Sequence, residues 1–153
     1  MSGVRGTSPE EYAGALQHFE DIPHRYQLKT YESQYQGRDT WEQYAENVVF
    51  AEHDTDVMHQ RMRLAGESWR DHMAARGRHH AVATTEDVES WCEDLLVDRA
   101  RRTVYGYYFL RVYNFYDHLK YSTEHPHLYN PVLLAATRYP ASREIWMYRV
   151  DIR

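Results

Sequence analysis

The sequence contains one cysteine, only two lysines, and no apolar stretch near the roughly 18 residues that a membrane-spanning helix requires. A lone Cys92 forms no internal disulfide, so cross-links do not hold this chain together. It sits among apolar residues of a predicted helix, with nothing nearby to lower its pKa. It therefore reads as a small buried side chain rather than a reactive thiol. The first residues carry Ser and Gly but no apolar signal core, and a cytoplasmic location is the expectation. Apart from Lys29 and Lys120, every basic residue is an arginine, a skew typical of GC-rich genomes and of salt-adapted proteins. A formal net charge of -5 argues against indiscriminate coating of nucleic acid, because that affinity grows with the number of phosphates neutralised. The charge is uneven, however. Residues 1–60 hold four Lys/Arg against eleven Asp/Glu, whereas residues 61–153 hold fourteen against twelve, so the later part is free to present a basic face.

What is present is packing material. The 153 residues are 42% apolar and 14% aromatic, with 14 tyrosines, enough for one folded core. Ser8-Pro9-Glu10-Glu11 has the form of a helix start and predicts a helix to about Phe19. Residues 20–38, with Pro23 and Gly37, show no sustained period and read as a connector. Thr40-Trp41-Glu42-Gln43 repeats the capping pattern ahead of a stripe of Trp41, Tyr44, Ala45, Val48 and Val49, predicting a helix that ends near His53. Asp54 or Thr55 then caps a helix carrying Val57, Met58, Met62, Ala65, Trp69 and Met73 on one face and ending at Gly77, with Gly66 weakening its middle. Thr84 or Thr85 caps the next, whose inward residues are Val88, Trp91, Cys92 and Leu95 and whose first turn is acidic. Thr103–Tyr121 is the strongest helical pattern and predicts a central helix. Asn130-Pro131 starts a short helix that Pro140 ends. Trp146, Tyr148, Val150 and Ile152 alternate with polar or flexible residues, predicting a short strand-like tail. The expected organisation is an N-terminal arm over 1–39, a helical domain over 40–138 and a tail over 139–153, in the all-α class.

From about Asp54 to Ala136 the sequence resembles the N-terminal core-binding domain of tyrosine recombinases, the phage-integrase family. Three pieces carry the likeness: Thr84-Thr85-Glu86-Asp87-Val88-Glu89-Ser90-Trp91; Arg102-Thr103-Val104 followed by Phe115-Tyr116-Asp117-His118-Leu119; and Asn130-Pro131-Val132. The resemblance implies a compact SAM-like helical bundle lying against duplex DNA. Two departures stand out: the spacing between Thr103 and Phe115 is one residue longer than in the family pattern, and His118 replaces an aromatic. Family members cleave DNA with a tyrosine nucleophile and an H-x-x-R motif in a second domain. Here no histidine is followed three residues later by arginine, and only seventeen residues follow Ala136. The expectation is a chain that binds DNA without cleaving it and is not an enzyme.

Two basic clusters are the candidate contacts. Arg61, Arg63, Arg70, Arg76 and Arg78, with His72, His79 and His80, face only Glu67 and Asp71 within residues 61–80. Arg99, Arg101 and Arg102 open the central helix, with Arg111 further along. A guanidinium donates two parallel hydrogen bonds to phosphate, and Tyr105 suits stacking or contact with a thymine methyl group. The candidate DNA-binding set is Arg70, Arg76, Arg78, His79, Arg101, Arg102, Thr103, Tyr105 and Arg111. The bland alternative is a solvated helix face with pairs such as Glu67–Arg70 or Asp98–Arg102. Ten histidines invite a metal, but no H-E-x-x-H or C-x-x-C pair occurs, and no cofactor is expected. The expected partner is double-stranded DNA, with a full-length integrase or a second copy of the chain as further candidates. A competing reading is a helical interaction or dimerisation module, its strand-like tail pairing with a partner sheet.

Overall fold

The structure is a computed structural model that describes residues 8–13 and 18–151, the side chains of 150 and 151 excepted. Among the described residues there is no strand, and the chain is all-α. Eight helices follow in order among the described residues: α1 (Glu10–Ala13), α2 (Glu32–Tyr35), α3 (residues 40–52), α4 (Asp56–Ala75), α5 (Thr85–Leu96), α6 (residues 101–121), α7 (Pro131–Arg138) and α8 (Pro140–Asp151). α3 and α6 each contain a π turn, at Ala45–Val49 and Val104–Phe109. The predicted extension of α1 through residues 14–17 lies outside the described residues, and Phe19 already belongs to a 3-10 turn.

Local chemistry sets most helix starts. Thr55 Oγ1 accepts the Met58 amide to cap α4. Thr84 and Asp87 form a reciprocal capping box on α5. Asn130 caps α7 ahead of Pro131, whose fixed φ suits the first turn. At α3 the side-chain cap is Asp39, not Thr40: its carboxylate accepts the Glu42 amide, while His80 Nε2 accepts the Trp41 amide at 3.1 Å. Four tryptophans, Trp41, Trp69, Trp91 and Trp146, anchor one core. Three of their indole N–H groups donate, to the Met62 carbonyl, the His80 carbonyl and Ser68 Oγ. Gly66 does not interrupt α4. It gives the Trp41 ring room to lie against the helix, since a Cβ there would collide with that ring.

Two expectations need correction. The segment over 20–38 is not a loose connector: three 3-10 turns and α2 carry Ile22, Leu28 and Tyr35 into the core. The Tyr129 hydroxyl accepts the Leu28 amide at 2.8 Å. Full burial of one such aliphatic side chain is worth about 2 kcal/mol, enough to dock a short segment lacking helical periodicity. The tail is a helix, not a strand. Pro140 both follows the end of α7 and opens α8, and the buried Glu89 carboxylate accepts the amides of Ala141 and Ser142 at 2.9 and 2.8 Å. Ile145 and Trp146 are consecutive and both buried, which strand alternation forbids, because α8 packs against α5 and α7 together. Ile152, part of the predicted strand, lies outside the described residues.

Candidate nucleic-acid interface

The predicted contact residues fall into two groups. The first is used inside the molecule. Arg76 and Arg78, just past α4, both bind the fully buried Asp87 carboxylate, at 2.5 and 2.6 Å. Burial raises the Asp87 carboxyl, but the Thr84 amide and the two guanidiniums outweigh it and hold the pKa below the usual value. Arg70 pairs with Asp39 at 2.8 Å and donates to the Gly66 carbonyl. His79 donates through Nε2 to the Arg38 carbonyl and accepts the Ala81 amide on Nδ1, while its own amide binds Glu32. These four serve as internal ties, and the Glu67–Arg70 and Asp98–Arg102 pairs anticipated as alternatives give way to Arg70–Asp39 and Asp98–Arg99.

The second group gathers around the π turn of α6. Arg111 is half-buried, its Nε donating to the Gly106 carbonyl at 3.3 Å across the turn. Arg61, from α4, lies over the Tyr107 ring at 5.2 Å. Burial, then the nearby Arg61 charge, lowers the Arg111 pKa. Burial raises the Tyr105 phenol, and the charges of Arg149 and Arg111 oppose that rise, so Tyr105 lies within reach of both. Arg149, from α8, covers the Trp146 ring at 4.8 Å, and Arg101 covers Tyr148 at 5.6 Å, itself 5.6 Å from Tyr105. Thr103 is half-buried and Arg102 exposed at the start of the same helix. Like charges brought this close raise the energy of the unliganded surface, and a bound anion lowers it. Among the described residues Arg61, Arg63, Arg102, Arg111 and Arg149 form no ion pair. π turns widen one helical turn and recur at functional sites.

Arg149, Tyr148 and Tyr107 were not singled out as contacts in the sequence. The first two fall in a segment with strand-like alternation, and nothing local tells that a helix returns them to α6. Beside this surface, the exposed Val57, Leu64 and Tyr107 line a groove of about 450 Å3, with Glu67 its one acid. Among the described residues, no group of three or more His, Cys, Asp or Glu is placed to hold a metal ion. No helix among them is long and apolar enough to cross a membrane. Compared with protein-family models, curated proteins and solved structures, the chain matches none.

Proposed function

We propose that this chain is a DNA-binding accessory module that grips duplex phosphates through the arginine and tyrosine surface around the α6 π turn, without cleaving the strand. The observation that carries this reading is the meeting of α4, α6 and α8 at that turn with guanidiniums that no described carboxylate neutralises. Arg61, Arg111 and Arg149 form its centre, and Arg63 and Arg102 extend it. Tyrosines beneath the guanidiniums hold the forks in place at little entropic cost, since each ring has few torsions to fix. The resemblance to the recombinase core-binding domain supports the same assignment. It also points to an ancestry in which DNA binding outlived catalysis, with a full-length integrase as a natural competitor for sites.

The test is fluorescence anisotropy of a labelled duplex against the whole chain across a salt series. Contacts to about four phosphates give a slope of log affinity against log salt of about -3.6. Each of Arg61→Gln, Arg111→Gln and Arg149→Gln is expected to make that slope shallower by about 1. Absence of affinity for any duplex at low salt overturns the reading, as does a triple variant that is folded and binds as tightly as the parent.

A second reading, a helical interaction module, is favoured by the exposed Val57 and Leu64, two turns apart on one face of α4. Light scattering separates the two. Association that Leu64→Glu abolishes, with no affinity for duplex, favours this alternative.

A further inference from the structure

A different cavity, of about 300 Å3, opens between the start of α3 and the end of α6. Its walls include Arg38, Thr40, Gln43, Asn47, His118 and His125, and Glu124 is the only carboxylate among its lining residues. The side chains are mostly hydrogen-bond donors or can act as such. Gln43 and Asn47 stand four residues apart on one face of α3, so both amides address the same space. Arg38 makes no ion pair among the described residues, and its guanidinium is steadied over the Tyr35 ring at 4.8 Å. His118 packs on the Tyr44 ring at 5.3 Å.

Two internal details point to an absent acceptor. Thr40 is 2% exposed, and its hydroxyl oxygen has no hydrogen-bond partner. A buried hydroxyl left unpaired is costly and is seldom kept without a reason. The second detail is the Tyr35 hydroxyl, 2.6 Å from His125 Nδ1. Burial pushes the Tyr35 phenol up to about 12, so it keeps its proton at neutral pH and can donate it to Nδ1. The neutral imidazole then carries its hydrogen on Nε2, which bonds to no described residue. Burial, then the neighbouring Arg38 and His118, lowers the His125 pKa, so both groups lie within electrostatic reach of that ring.

We propose that this cavity binds a small phosphate-bearing molecule, with Arg38 as its charge partner, the Thr40 hydroxyl, His125 Nε2, Gln43 and Asn47 as neutral donors, and Tyr35 as the residue that sets the His125 tautomer. A volume of about 300 Å3 is at the small end of ligand sites, which suits a phosphate monoester of few carbons. The site is separate from the surface around Arg111, and neither assignment depends on the other.

Isothermal titration calorimetry of the full chain, with inorganic phosphate and with ribose 5-phosphate as probes, tests this, alongside NMR of the histidine ring protons. Saturable binding that shifts the His125 and His118 rings is expected, tighter for the sugar phosphate if the carbon skeleton is also held. Arg38→Gln is expected to weaken binding at least about tenfold. Asn47→Asp, at an exposed position that leaves the core untouched, places a negative charge at the cavity wall and is expected to abolish binding. Arg61→Gln is expected to leave it unchanged. No saturation by about 10 mM of either probe, an equal response to chloride, or undiminished binding by folded Arg38→Gln and Asn47→Asp overturns the proposal.

Discussion

Glu89, in the middle of α5, accepts both the backbone amide of Ser142, at 2.8 Å, and its hydroxyl, at 2.7 Å. One carboxylate thus supplies acceptors to the otherwise unpaired first turn of α8, where the helix dipole also favours negative charge. Glu89→Ala is expected to destabilise the fold by about 3 kcal/mol, because buried donors lose a charged acceptor. Glu89→Gln, which keeps one oxygen, is expected to cost less. Urea unfolding with an unchanged m-value measures both, and equal stability of Glu89→Ala and the parent would refute the role assigned to this residue.

Asp87 is the other carboxylate that organises the fold, its side chain wholly buried while the Arg76 and Arg78 side chains are 36% and 29% exposed. Removing it strands two guanidiniums, and Asp87→Ala is expected to cost about 3 to 5 kcal/mol. Arg76→Ala and Arg78→Ala are expected to lower the unfolding midpoint while leaving the salt slope of duplex binding unaltered, in contrast to Arg111→Gln. A shallower slope in Arg76→Ala would return that arginine to the proposed DNA contacts.

Gly66→Ala ordinarily stabilises an exposed helix by about 1 kcal/mol. Here the added methyl meets the Trp41 indole, and overpacking of this kind costs about 1 to 3 kcal/mol. The net expectation is destabilisation with a loss of near-ultraviolet circular dichroism from the displaced tryptophan. A more stable variant with an unchanged tryptophan signal would show that the ring shifts freely.

Acidification acts first through imidazoles. Burial, reinforced by the neighbouring His79, lowers the His80 pKa to about 3, and burial lowers that of His127 to about 4, against 6.5 for a free side chain. Below pH 6.5 the unfolded chain therefore binds more protons than the folded one. The stability these residues contribute is complete above pH 6.5 and declines as pH falls towards 4 and then 3. Asp87, with its lowered pKa, adds a second loss only below its ordinary value of 3.8. Because the Trp41 amide donates to His80, the first turn of α3 is expected to lose hydrogen-exchange protection before α5 and α6 do. Unfolding midpoints that do not change between pH 7 and pH 5 would contradict this order.

Cys92 is fully buried and its thiol is pushed well above the ordinary value, first by burial. A thiol reagent is expected to label it only after denaturant is added, at the rate of global unfolding. Rapid labelling of the native chain would place it at the surface.

Signals within a few residues of one another were legible from the sequence. Thr55, Thr84 and Asn130 cap the helices that follow them because a short polar side chain before an apolar stripe can satisfy its neighbours' amides whatever the rest of the chain does. The same locality made the all-α class and the buried Cys92 readable. Long-range partners were not legible. Trp146, Tyr148 and Val150 carry a strand pattern, yet a carboxylate more than fifty residues earlier caps that segment as a helix. Leu28 and Tyr35 stand in a stretch without period and are buried because Tyr129 and His125 lie across from them. Among the arginines, side-chain type and spacing are alike at Arg76 and Arg111, and their fates differ because folding brings Asp87 to one and Arg61 to the other. Charge density along a sequence counts guanidiniums; which of them meet a carboxylate depends on where folding brings the acids, and Coulomb's law acts across space without regard to sequence separation.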